Sequence, residues 1–313
     1  MSSAAAVVID IGSAFVRFGF AGEGKPRHVL AVPAPLRALA PRSAGAQHVA
    51  QLAEWLADCF MRLLQVNGDR QVLVAEDVYA TSVVHEAVRE AFQVRLRVAK
   101  LVFVPSTAVA VLASGAPTGL VVDLGRSETR VLAVLDGHVL WASLRTAPLG
   151  MRAVLDAAQA AYGVDAAARH ADDVVVRACF VAPRTGKLPS VGDAVVRVVD
   201  DNGRPLVVTV PEAARTQPFQ VLFDGDDEDF TLVGLVYDAL RACPIDARVH
   251  IAANIVVAGG LAAAPGLAAR LDAELAASRP DDLAAIAFRR RALPFPSSLV
   301  PWVGATVATA YVG

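Results

Sequence analysis

Two domains of α/β class are what this sequence predicts, and three observations carry the prediction. Short apolar strands alternate with amphipathic helices along most of the chain. Two stretches share one plan, in which an apolar strand ends in Asp, a Gly turn follows and a second strand leaves. They are centred on Asp10-Ile11-Gly12 and on Asp123-Leu124-Gly125. The length of 313 residues suits two cores rather than one.

Taken in order, Val7-Val8-Ile9-Asp10-Ile11 turns at Gly12-Ser13-Ala14 and returns through Phe15 to Phe20, which reads as a hairpin. Residues 33–47 hold Pro33, Pro35 and Pro41 without periodicity and read as a loop. Residues 49–66 place Leu52, Trp55, Leu56, Cys59, Phe60 and Leu63 at helical spacing, so an amphipathic helix is expected there, with Trp55 in the core. A buried strand over 71–75 precedes a helix over 81–92, capped by Thr81 or Ser82. A strand over 101–104 leads through Pro105 into a short helix, 106–113, that Gly115 stops.

The second plan opens the other half, and its strands are expected to run to about Trp141. Gly150-Met151-Arg152 then leads into an Ala-rich helix ending near Tyr162-Gly163. Residues 172–181 admit either state: Val174-Val175-Val176 favours a strand, while length and flanks allow a helix. Residues 195–210 read as a hairpin around Asp200-Asp201-Asn202-Gly203, and 230–243 as an amphipathic helix. A buried strand over 253–257, a turn at Gly259-Gly260 and a helix over 265–278 opening with Pro follow. Residues 294–305 form an extended crossing into a last helix, with Trp302 in the core.

Bulk properties exclude several function classes. A net charge of -2 offers no electrostatic footprint for nucleic acid or an anionic membrane. No apolar run is long enough to span a bilayer, and the N-terminal Ala-Val run lacks a basic segment, so neither membrane insertion nor a signal peptide is expected. Cys59, Cys179 and Cys243 are isolated and odd in number, which suits reduced, mostly buried thiols. The acidic run 224–229 lacks the downstream ligand of a calcium loop and reads as solvated, as does Arg289-Arg290-Arg291. The six His are dispersed, with no metalloprotease or nucleophile-elbow spacing. What remains is the pair of Asp-x-Gly hairpins, whose backbone N–H groups can cradle a phosphate chain while the two carboxylates approach its metal ion.

Asp10-Ile11-Gly12-Ser13, then Arg17, then Gly19-Phe20-Ala21-Gly22-Glu23 with Pro26-Arg27, resemble the first phosphate loop of actin and its relatives and the strand after it. Gly119 to Gly125 resembles the second phosphate loop. Ala253-Asn254-Ile255-Val256-Val257-Ala258-Gly259-Gly260, followed by Pro265-Gly266, is similar to the adenosine motif, and Pro301-Trp302-Val303-Gly304-Ala305 to the last connection. The resemblance implies an actin-like bilobed fold with a ribonuclease H-like core. Each lobe is a mixed sheet flanked by helices, one formed by 1–110 with 297–313 and the other by 111–296, and a nucleotide cleft lies between them. Arg177-Ala178-Cys179-Phe180-Val181, Cys243-Pro244-Ile245-Asp246-Ala247-Arg248 and the short segment after Pro33 are most similar to the branch that caps the pointed end of the dynactin filament. The short segment implies a strongly reduced second subdomain, the part that in actin reaches the next subunit.

By the same resemblance, nucleotide phosphates fall to Asp10, Gly12, Ser13, Ala14, Arg17, Asp123, Gly125, Gly259 and Gly260, with Mg²⁺ held by Asp10 and Asp123 through water. Two readings stand side by side: bound ATP or ADP with Mg²⁺, or hairpins that keep the fold and hold no cofactor. Ala14 replaces a turn Gly of the family, which matters if the turn needs positive φ, and Arg17 replaces its Lys. The family's water-positioning Gln and His fall on Ser106 and Arg130. Ser is about 3 Å shorter and Arg stays protonated, so neither can do that work. Each such loss costs about 10²–10⁴-fold in rate. A metal-side Asp falls on Arg126, and the adenine-side Lys-Glu pair falls on Val175-Val176. Leu261, Ala263, Ala264 and Ser298 replace further polar contacts. Charge-assisted bonds of that kind contribute about 1.5–3 kcal/mol each.

The expectation is a non-catalytic, cytoplasmic, cytoskeletal subunit, hetero-oligomeric with the filament-forming actin-related protein and the pointed-end subunits of dynactin, in dynein-driven transport. The alternative is a divergent actin-like ATPase, nuclear or cytoplasmic. A sugar kinase would need an Asp near the second loop, where Arg126 stands.

Overall fold

Alternation along two neighbouring strands decides how the first unit is layered. The computed structural model describes residues 5–33, 46–65, 69–163, 165, 170–186, 190–200, 202–224 and 230–312. In the first unit β1 (Val7–Ile11), β2 (Phe15–Phe20), β3 (His28–Ala31), β4 (Gln71–Glu76) and β5 (Lys100–Pro105) form one sheet in the order β3-β2-β1-β4-β5. β1, β2 and β3 are antiparallel, whereas β4 and β5 run parallel to β1. Val7, Ile9, Val72 and Val74 point to one face, and Val8, Leu73 and Ala75 to the other; all are fully buried. A sheet apolar on both faces must be covered on both.

On one face lie α1 (Ala46–Cys59) and α2 (Ser82–Arg89), which supply Leu52, Leu56 and Val88. Each runs on into a π-helical turn, Phe60–Leu64 and Glu90–Arg95, where Phe60 and Phe92 meet edge to face at 5.3 Å. The wider turn carries the buried seam from Phe60 to Leu64 rather than to Leu63, and Trp55 is only half-buried at the edge of the core it was expected to fill. Thr81 is the N-cap of α2, its Oγ1 accepting from Val84 N at 3.5 Å. On the other face α3 (Ser106–Ala110) and the last helix (Val300–Ala308) supply Val109, Trp302 and Ala305. Trp302 Nε1 donates to Val8 O at 3.1 Å, and its ring lies so close to Gly19 that a Cβ there would sit 2.6 Å from Cζ2. Only Gly at position 19 lets the last helix close on the first hairpin.

The second unit repeats the theme. β6 (Gly119–Leu124), β7 (Thr129–Leu135) and β8 (His138–Ala147) are antiparallel neighbours. β8 runs past Trp141 to Ala147, after a register shift between Val131 and Ala133. Helices α4 (Met151–Tyr162) and α5 (Ala171–Ala178) follow, then the ribbon β9 (Ala194–Val199) and β10 (Pro205–Val210). α5 resolves the ambiguous stretch. Val174, Val175 and Ala178 are buried while Val176 is exposed, a helical pattern; a strand would have put Val174 and Val176 on one face. α6 (Leu232–Arg241) and α7 (Arg248–Ala252) lead to β11 (Ile255–Ala258), which pairs parallel with β6 to complete the order β11-β6-β7-β8. α8 (Leu267–Ala277) starts after Gly266, so Pro265 lies outside it rather than in its first turn. The Arg289–Arg291 run is more than a solvated edge. Ile255 N donates to Arg289 O at 2.9 Å, Arg291 N donates to Ile255 O at 2.7 Å, and Arg290 grips Asp272 with two nitrogens.

The two units comprise Met1–Ala116 with Leu299–Gly313, and Pro117–Ser298. The first break falls at 116 rather than 110 because α3 continues as a 3₁₀ turn, Val111–Ser114, tied by Ser114 Oγ to Val111 O at 2.8 Å. Residues 34–45 and 225–229, which carry most of the Pro-rich loop and the acidic run, lie outside the described residues. Among those described, no helix is long and apolar enough to cross a membrane, and the cysteines are unpaired, Cys179 and Cys243 buried and Cys59 half-buried.

Candidate functional site

In the first hairpin the register of β1 on β2 sets Asp10 directly opposite Arg17. The carboxylate is almost wholly buried, and Arg17 Nη1 donates to its Oδ2 at 2.8 Å. Burial pushes the Asp10 carboxyl above its usual range, against the pull of the Arg17 guanidinium. Gly12 N closes the loop on Phe15 O at 3.0 Å, and Ala14 O accepts from Val32 N at 2.9 Å. Neither Gly12, Ser13 nor Ala14 takes a positive φ. The expected difficulty at Ala14 therefore does not arise.

The second hairpin repeats this at the same offsets. Asp123 stands opposite Arg130, and Gly125 N closes the loop on Glu128 O at 3.0 Å. Here, however, the guanidinium is shared. Arg130 Nη1 is 3.9 Å from Asp123 Oδ2, while Nε and Nη2 lie 2.7 and 2.5 Å from Glu128 Oε1. Arg126 pairs with Asp172 at the start of α5. Two loop carbonyls cap α4: Met151 N donates to Gly125 O at 3.1 Å and Arg152 N to Arg126 O at 2.8 Å. Gly259, at φ 94°, follows β11 and backs this hairpin so tightly that a Cβ would lie 2.1 Å from Leu124 O and 2.8 Å from Asp123 Oδ1. Its N–H donates to Ser297 O at 3.1 Å. Asp123, Gly125 and Gly259 are thus brought together, with Gly260 next in the turn; Asp10, Gly12, Ser13, Ala14 and Arg17 are grouped in the first unit.

The positions assigned to the base are apolar in structure as well as in sequence. Val175 is buried in the core, Val176 points to solvent, and Leu261 is buried in the turn Leu261–Ala263, with Ala264 after it. Ser106 opens α3 and is itself buried. Sequence reasoning missed Glu128, which competes with Asp123 for Arg130. Its signal was the position within the loop, two residues before the Arg. It also missed Gly150, whose absent side chain lets α4 reach the loop: a Cβ there would be 2.6 Å from Arg126 O.

These residues do not fit a metal-bound nucleotide. Both carboxylates that would reach the metal already face a guanidinium, Gly12 and Gly125 spend their N–H groups on their own loops, and Gly259 spends its N–H on Ser297 O. Among the described residues, no group of three or more His, Cys, Asp or Glu could hold an ion. Arg17 Nε is a buried donor with no protein acceptor, one donor set against the missing metal contacts and base contacts.

A profile of the actin family matches residues 47–162 and 210–310, together more than half of the chain. The chain is also similar to Actin-related protein 6 of Drosophila melanogaster, 36% identical over 87 residues, which cover 27% of this chain and 22% of that protein. The match therefore spans less than a quarter of the relative.

Proposed function

The chain belongs to the actin family, and on that premise we propose that it is a non-catalytic structural subunit, ending the short actin-related filament of dynactin at its pointed end. It works in the cytoplasm, in dynein-driven transport along microtubules, beside the filament-forming actin-related protein and the pointed-end subunits. The observation that supports this reading is the connection between β3 and α1. β3 ends at Ala31 and α1 begins at Ala46, so residues 32–45 stand where actin inserts the subdomain that grips the next subunit. A subunit without that grip accepts a filament on one side and offers nothing to extend it on the other. The Cys243-Pro244-Ile245-Asp246-Ala247-Arg248 string supports the same branch, and Ser106 and Arg130 support the absence of hydrolysis.

The tagged full chain, isolated from its own cytoplasm and analysed by mass spectrometry, is expected to carry the filament-forming actin-related protein and dynein-associated subunits. Their absence overturns the assignment. A second reading, a divergent ATPase, draws on the Asp retained at the end of the first strand in both hairpins. Mg²⁺-dependent phosphate release above background from the purified chain would decide for it.

A further inference from the structure

Both hairpins carry their own counter-ion. Asp10 faces Arg17 across β1 and β2, Asp123 faces Arg130 across β6 and β7, and in each case the two residues are separated by the same number of positions. We propose that these internal ion pairs stand in for the metal–nucleotide charge, so that this actin-family chain folds and stays folded with neither nucleotide nor divalent cation. The proposal goes beyond the absence of catalysis, since a protein can hold ATP tightly and never turn it over.

Charge and burial carry it. In the first hairpin Asp10 balances Arg17; around the second, Asp123, Glu128 and Asp172 meet Arg126 and Arg130. Arg17 Nη1 is committed to Asp10 Oδ2, on a carboxylate that is 4% exposed. Giving that bond up, whether to a phosphate or to a metal, strands a buried charge, which is strongly unfavourable. A metal or nucleotide can dissociate, whereas a guanidinium on the neighbouring strand cannot. The loops keep their shape through Gly12 N to Phe15 O and Gly125 N to Glu128 O, both 3.0 Å, with no ligand needed to hold them open or closed. The residues assigned to the base, Val175 and Leu261 among them, are buried apolar groups that offer an adenine no polar contact.

The full chain, purified without added nucleotide, is denatured and its supernatant assayed for adenine nucleotides; far less than one per chain is expected, and about one per chain overturns the proposal. Melting is then compared in EDTA, in Mg²⁺, and in saturating MgATP or MgADP. Unchanged melting is expected. A ligand at a hundred times its Kd would raise it by about 4 °C, and such a rise, or a fall in EDTA, overturns the proposal. Arg17→Met is expected to melt well below the parent, and Asp10→Asn with Arg17→Met to regain part of the loss. Arg130→Met gives an independent measure should Arg17→Met not fold, and parental melting in the variants overturns the proposal. Nucleotide bound without phosphate release removes this inference and leaves the non-catalytic reading intact, whereas phosphate release removes both.

Discussion

The first and second hairpins are built to one pattern and are held differently. In each, an Asp stands one residue from the end of an apolar strand, a Gly closes the loop, and an Arg on the return strand faces the Asp. In the first, Arg17 bonds Asp10 directly at 2.8 Å with both side chains nearly buried, 12% and 5% exposed. In the second, Arg130 keeps 3.9 Å from Asp123 and takes Glu128 more closely, a residue 30% exposed. What secures the second is backbone: Gly259 against Leu124 and Asp123, and the start of α4 on two loop carbonyls. One hairpin depends on a charge pair and the other on close packing. The same local sequence plan therefore places its energetic weight in different residues, according to what the rest of each unit brings to it.

Removing the direct pair should have the largest effect. Arg17→Met leaves Asp10 buried without a counter-ion, and breaking a buried pair in that way costs about 3–5 kcal/mol, measured by urea unfolding at neutral pH. The deficit should depend on pH. Burial already holds the Asp10 carboxyl above its usual value despite Arg17. A carboxyl whose folded pKa lies above its unfolded one binds protons more readily in the folded state, so its contribution falls as pH rises through the interval between the two. Without Arg17 the folded value climbs further and the interval widens. The deficit should therefore shrink as pH drops from neutral towards about 5. A deficit independent of pH would show that lost packing, not the stranded carboxylate, is responsible.

Gly259→Ala tests the packing side of the contrast. The added Cβ meets Leu124 O at 2.1 Å in a left-handed backbone, and overlap plus strain should cost about 2–4 kcal/mol in the same measurement. Arg130→Met should cost less, about 1–2 kcal/mol, because its closer partner, Glu128, is partly solvated and its distance to Asp123 is long. If Arg130→Met proves as damaging as Arg17→Met, the two hairpins are held alike and the contrast drawn above fails.

Much of this was legible in the sequence, for reasons that differ by residue. The Asp-x-Gly turns and continuous apolar strands announce both hairpins because strand ends and turns are local chemistry. The offset from Asp10 to Arg17 and from Asp123 to Arg130 was equally visible, but an offset becomes a pair only once register fixes which residues face each other. Glu128, two residues before Arg130, is placed within its reach by sequence alone, but that it draws the guanidinium away from Asp123 depends on side-chain conformation. The stretch 172–181 was ambiguous because three successive valines favour a strand locally, while burial of Val174, Val175 and Ala178 on one side selects a helix. Trp55 is only half-buried because it falls at the margin of the α1 face that Leu52, Leu56 and Phe60 bury, and helical spacing alone does not separate the margin of a face from its centre.

The smallest effect concerns Ala14, where the resemblance raised a doubt that the backbone removes. The family has a turn Gly at this position, and a replacement by Ala would strain a turn that required positive φ. Ala14 has no such φ, and its carbonyl is fixed by Val32 N at 2.9 Å. Ala14→Gly should therefore not restore anything. It frees the unfolded chain more than the folded one and should lower stability by about 0.4–1 kcal/mol. An increase in stability would mean that the turn is strained at Ala14. The loss of the family's glycine would then be a defect of the first hairpin rather than a change it has accommodated.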